Sequence, residues 1–117
     1  MISTLFIFTD NPYTSRKSAD GLEAVMAACA MEFEVKLLLL HDAVWSIKTS
    51  QRPPSAIKPG FKTFAALGDF GVEQIYAYQH SLIGRGLVAE DLSVGVQECN
   101  RDEIASLIAR HERVLVF

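Results

Sequence analysis

Four short stretches of this 117-residue chain gather side chains that could move protons, bind anions or attack an electrophile: Thr9–Tyr13, His41–Trp45, Tyr78–Ser81 and Glu98–Asn100. Cys99 has the most promising setting for a reactive thiol. It stands just before an expected helix N-terminus, where the helix dipole favours a thiolate. The plainer reading is a thiol packed beside the cap. Cys29 falls on the apolar stripe of the first expected helix, where a cysteine acts as a small core residue. The two cysteines have no metal-ligand spacing. They could pair, but two in this length is ordinary for a reduced cytosolic protein, and neither a metal nor a cofactor is expected. His41 and Asp42 could act as acid and base. Neighbours on an extended segment point to opposite sides, however, so a turn-capping role for Asp42 is the simpler one. His80 and Ser81 resemble a base beside a nucleophile, yet "YQHSL" lacks the glycines of a nucleophile elbow and no third group can be assigned. Thr9, Asp10 and Asn11 could be polar ligands, but residues of this kind more often simply make the turn by which a chain leaves a strand. Neither GxGxxG nor GxxxxGK[ST] occurs, and there is no acidic cluster of receiver type, so nucleotide binding and phosphoryl acceptance are weakly supported.

These corners need strands and helices to hold them. "ISTLFIF" is dense in β-formers and reads as strand one. A helix is expected from about Ser18 to Met31, with Ser18 as N-cap and Leu22, Val25, Met26 and Cys29 as its apolar stripe. "FEVKLLLLHD" is strand two, and its four consecutive leucines fit a strand buried on both faces. "TSQRPPSAIKPG" reads as an exposed loop. "FKTFAALGDFG" reads as a helix with Gly71 as its C-cap. Strand three is "VEQIYAY", followed by a short helix near His80, and strand four is "LSVGVQE". In "NRDEIASLIARH", Asn100 and Glu103 have capping-box spacing, and Ile104, Leu107 and Ile108 form the buried stripe. "RVLVF" is strand five. Alternation of this kind implies a single three-layer α/β/α domain with a five-stranded parallel sheet and right-handed crossovers.

Hydrophobic residues make up 50% of the chain, which suits a doubly covered sheet, an oligomer interface, or both. Net charge is −3, and no run of Lys and Arg could track a phosphate backbone, so direct nucleic-acid binding is not expected. The apolar N-terminal stretch is too short for a signal peptide or a membrane span, so a cytoplasmic protein without membrane contact is expected.

"ADGLEAVMAACAM", "LLLLHDAVWSI" (with Ala43 where Gly is usual), "GDFGVEQIYAY", "SLIGRGL" and the terminal "VLVF" together resemble the DsrE/DsrF-like sulfur-relay family. Within it the chain looks most like the TusC, or DsrF, branch, and the similarity covers nearly the whole length. The resemblance implies a heterohexamer with TusB-like and TusD-like homologous subunits, two copies of each. That assembly passes persulfide sulfur towards 2-thiouridine at the tRNA wobble position, or in sulfur oxidisers serves sulfur oxidation. It implies a carrier cysteine in the TusD/DsrE subunit, at the end of strand three and eight residues before the glycine of an Arg-Gly pair. Counting back from Gly86 gives Tyr78 here. A persulfide relay needs a thiolate, which a phenol cannot replace. The resemblance therefore implies an accessory subunit with no catalytic residue of its own. It also implies a sheet order with strand one between strands two and five. Tyr78, His80, Ser81, Arg85, Asp42 and Trp45 are the candidates for an interface or pocket wall. Two other readings stand beside this one: a stand-alone flavodoxin-like domain binding a small molecule or nucleotide, and a hydrolase using Ser81 and His80.

Overall fold

The computed structural model describes residues 2–12, 16–48, 64, 66–92 and 95–117. Five strands form one sheet: β1 (Ser3–Phe8), β2 (Glu34–Leu39), β3 (Val72–Tyr78), β4 (Val96–Cys99) and β5 (Arg113–Val116). Every pairing is parallel and the order is β4-β3-β2-β1-β5. Strand one thus lies between strands two and five, as the resemblance implies. The helices are α1 (Arg16–Ala30), α2 (Gln79–Gly84) and α3 (Arg101–Arg110), with 3-10 turns at His41–Ile47, Leu67–Phe70 and Ala89–Asp91.

The sheet has a core on each face. On one, Phe6, Phe8, Leu37 and Leu39 pack with Val25 and Ala28 of α1, Leu82 of α2, Phe64 and Leu67. On the other, Leu5, Ile7, Leu38 and Cys99 pack beneath Leu107 of α3. Leu37, Leu38 and Leu39 are all 0% exposed, because successive side chains alternate between two covered faces. The leucine run is therefore a central strand, as its lack of alternation predicts.

Helix α1 departs from expectation. It begins at Arg16, so Ser18 lies inside the first turn and is buried rather than capping. The buried line is Ser18, Gly21, Val25 and Ala28, while Met26 is 37% exposed. Gly21 is the physical reason. A Cβ there would lie 2.3 Å from a ring carbon of Phe8 and 3.0 Å from Phe117. Only a residue without a side chain lets the helix settle onto these rings, and that contact turns α1 towards its small residues.

The N-terminus of α3 matches the sequence reading. Asn100 Oδ1 accepts from Glu103 N–H at 2.9 Å, and Glu103 Oε1 accepts from Asn100 N–H at 3.0 Å, a reciprocal capping box. Its buried stripe is narrower than expected: Leu107 is covered, but Ile108 is 43% exposed. Gly71 closes the Leu67–Phe70 turn at φ 114°, a backbone region that favours glycine. Strand β4 starts at Val96 rather than Leu92, which instead bridges Lys48 in antiparallel fashion. The expected loop at residues 49–60, and residues 61–63 and 65 of the expected second helix, lie outside the described residues.

Gly21→Ala tests the close approach. Alanine favours a helix by about 1 kcal/mol, whereas overpacking a core costs about 1–3 kcal/mol. Phe8 cannot yield easily, because it is held edge-on to Phe64 (5.7 Å) and stacked with Phe117 (6.0 Å). Thermal unfolding should therefore show a lower midpoint for Gly21→Ala than for the parent chain; an unchanged or raised midpoint would contradict this account.

Candidate functional site

Parallel strands place all their carboxyl ends on one rim, and the polar corners of the sequence meet there. Tyr78 is the last residue of β3 and lies opposite Cys99 of β4. Its backbone stays extended (φ −69°, ψ 120°) and starts α2, and its ring centroid lies 5.8 Å from that of the exposed His80. One turn later Ser81 is 3% exposed, and its Oγ accepts the N–H of His41 at 2.9 Å. His41 has φ 53°, unusual for a residue with a side chain, so this bond holds a strained point at the end of β2.

Arg85 completes the brace. Its Nε and Nη2 both lie 2.9 Å from Asp42 Oδ1, and Nη1 donates to the Ser81 carbonyl at 3.2 Å. Asp42 therefore acts on a partner forty-three positions away rather than capping its own turn; the cap position Leu40 makes no side-chain bond. Trp45 lies half-buried against the large core. Of the six candidates, Asp42, Ser81 and Arg85 form one network, Tyr78 and His80 a second contact beside it, and Trp45 packs against the core. The network fastens α2 to the His41–Ile47 turn. It does not align a base with a nucleophile, because the Ser81 hydroxyl is buried and occupied by a backbone donor. That removes the basis for a Ser81–His80 hydrolase. The Ser81–His41 contact has no signature in the linear sequence, since a buried serine forty residues from its partner looks like any other.

The first loop is tied in the same structural manner. Thr9 donates both its N–H (2.9 Å) and its hydroxyl (3.1 Å) to the Phe117 carbonyl. Asp10 faces Lys17 at 3.9 Å in an exposed pair.

The thiols reverse the expectation for Cys99. It is 1% exposed, with Sγ 3.6 Å from the Ala77 carbonyl. Burial, and then the nearby Glu103 carboxylate, push its pKa from the ordinary 9.0 up to about 11. The expected stabilisation by the helix terminus fails because Glu103 already occupies that terminus through the capping box. Cys29 is half-buried, and burial raises its pKa as well. Among the described residues no group of three or more His, Cys, Asp and Glu could hold a metal ion, and no helix is long and apolar enough to cross a membrane.

Comparison with known proteins adds an independent line. The profile of the DsrE/DsrF-like family matches residues 3–117. A TusC homolog of Pasteurella multocida is 29% identical over 115 residues, covering 96% of this chain and 97% of its own. A TusC homolog of Pseudomonas aeruginosa is 26% identical, with 98% of each chain covered. One of Aliivibrio fischeri is 24% identical, with 96% of each covered. Among solved structures, the YchN protein of E. coli superposes with a TM-score of 0.88 at 23% identity over the full length of both chains. A protein of unknown function from Methanobacterium thermoautotrophicum superposes at 0.72 and 15% identity, covering 94% of this chain and 91% of its own. These two superpositions bear on the fold.

Two outcomes follow from the corner. Ser81→Ala leaves the His41 N–H without its partner and should cost about 1–2 kcal/mol. Asp42→Ala, at a largely solvated ion pair, should cost less than about 1 kcal/mol; denaturant unfolding that ranks them the other way would contradict the brace. For Cys99 the folded chain holds the thiol proton more tightly than the unfolded one. Its stabilising contribution is thus complete below pH 9.0 and is lost as pH rises towards about 11. Cys99→Ala should flatten that alkaline limb of the stability curve. In the parent chain at neutral pH, iodoacetamide should label Cys29 well before Cys99.

Proposed function

Because the chain belongs to the DsrE/DsrF-like family, we propose that it is a non-catalytic subunit of a heterohexameric sulfur-relay complex that supports 2-thiouridine formation at the tRNA wobble position. Its partners on this reading are TusB-like and TusD-like homologous subunits, and its compartment is the cytoplasm. The relatives named TusC favour the tRNA branch over a DsrF role in sulfur oxidation.

One observation carries the reading. The chain has two cysteines, and neither stands at the exposed corner where β3 ends. In a relay step a carrier thiolate attacks the outer sulfur of a donor persulfide. The S–S bond breaks, the donor leaves as a thiolate, and the carrier becomes the new persulfide. Tyr78 has no sulfur to form that bond. Cys99 is sealed under α3 with its proton held tightly, and Cys29 lies near the end of α1, beside Gly71 at the opposite end of β3 from Tyr78. What the corner offers instead is a fixed surface of Tyr78, His80 and the Asp42–Arg85 pair, suited to seating a partner's loop.

The test is sulfur loading with a cysteine desulfurase and cysteine, followed by mass spectrometry. The chain alone should gain no sulfur on Cys29 or Cys99. Coexpressed with TusB-like and TusD-like chains it should copurify with them, and the added sulfur should appear on the TusD-like chain. Acceptance of sulfane sulfur by the isolated chain, with onward transfer, would overturn the proposal.

A further inference from the structure

Helix α1 packs over β1 and β2, and beside it, over β1 and β5, lies a hollow of about 240 Å³. The parallel register lays its floor as two pairs: Thr4 beside Arg113, and Phe6 beside Leu115. Residues in register, and residues two apart on one strand, share a face, so all four side chains turn towards α1. The small side chains of Ala24, Ala27 and Ala28 on the helix leave the space open.

The two ends of the hollow differ. Phe6, Leu115 and the alanines make one end apolar. At the other, near the amino ends of β1 and β5, stand two polar groups without polar partners. Thr4 is 2% exposed, and its hydroxyl makes no hydrogen bond. A buried hydroxyl in that state is unfavourable until something pairs with it. The Arg113 guanidinium lies over the Phe33 ring, with Cζ 5.7 Å from the ring centroid. Among the described residues no carboxylate stands within ion-pair distance of it. Stacking on a ring holds the planar fork in place and leaves its N–H edge to bind.

We propose that this hollow binds a small monocarboxylate with an apolar body, its carboxylate held by Arg113 and Thr4 and its body laid along Phe6 and Leu115. One guanidinium balances one negative charge, and its fork matches a carboxylate through two parallel N–H···O bonds. The Thr4 hydroxyl, free to donate, supplies a third. Volume sets the body. An apolar cavity of about 150 Å³ takes up benzene, so this one holds a single six-membered ring on a short arm. A nucleotide or a phosphorylated sugar would find neither the space nor a second cation among the lining residues. The site lies at the rim opposite Tyr78, and the inference does not rest on the relay reading.

Amide-resolved NMR titration of the full chain tests it, with phenylacetate as the probe and phenethyl alcohol as its uncharged counterpart. Phenylacetate should bind with a Kd below about 1 mM, and the alcohol about tenfold or more weakly. The largest shifts should fall on Thr4, Ala27, Arg113 and Leu115. Arg113→Met keeps an apolar stem and removes the charge. It should weaken phenylacetate about tenfold, to the level of the alcohol, and leave the alcohol unchanged. Ala27→Leu, at an exposed helix position, should fill the hollow and abolish binding of both without lowering the thermal midpoint. Thr4→Val should weaken phenylacetate while the midpoint of the free chain falls no lower, because the hydroxyl removed has no partner to lose. Absence of a saturable shift up to about 10 mM phenylacetate overturns the proposal. So does equal affinity for acid and alcohol, or an Arg113→Met chain that binds phenylacetate like the parent. Resonances around the hollow that move with protein concentration alone would show another copy filling it, and would overturn it as well. Sulfur acceptance by the isolated chain would sink the relay proposal and leave this one standing, whereas failure to bind phenylacetate would do the reverse.

Discussion

Parallel strands can be joined only by connections that cross a face of the sheet, and right-handed twist fixes which face each crossing uses. In the order β4-β3-β2-β1-β5, the steps from β1 to β2, β2 to β3 and β3 to β4 run the same way, and the step from β4 to β5 returns across the sheet. Handedness therefore sends three connections over one face and one over the other. The two cores match that division: a large cluster around Phe6, Phe8, Leu37 and Leu39, and a small one around Leu38, Cys99 and Leu107. The same constraint gathers every carboxyl end on one rim, so residues as distant as Asp42 and Arg85 can meet there. It also leaves β4 and β5 as edges.

Where a feature depended on residues close in the chain, its pattern was readable. The unbroken leucines of β2 announce two covered faces, and the Asn100–Glu103 spacing announces a helix start that the hydrogen bonds reproduce. Gly71 beyond its turn belongs to the same group. What could not be read depends on tertiary contact. The rotation of α1 follows from Gly21 resting on Phe8 and Phe117, rings that lie thirteen and ninety-six positions away in the chain. The character of Cys99 follows from a strand that buries it and from a carboxylate three residues beyond the cap. Local reasoning correctly placed this thiol beside a helix terminus. It could not see that Glu103 already fills that terminus and opposes a second negative charge.

The corner itself was legible as a location and not as a mechanism. Tyr78, His80, Ser81, Arg85 and Asp42 stand at strand ends, as the alternation of elements requires. Their division of labour comes only with the fold: a buried hydroxyl holds the left-handed His41, and a guanidinium joins two connections.

That division bears on the accessory role proposed for the chain. A carrier cysteine must meet a donor and then an acceptor, so the segment that holds it has to allow two different approaches. A corner relieved of that duty is free of the requirement, and its connections can be fastened to each other. The bonds from Ser81 to the His41 backbone, and from Arg85 to both Asp42 and the Ser81 carbonyl, do this. They join the end of β2 to the helix that follows β3. On that proposal, leaving out the nucleophile and bracing the corner belong together: rigidity that would hinder a sulfur carrier would suit a surface that holds a neighbour in register.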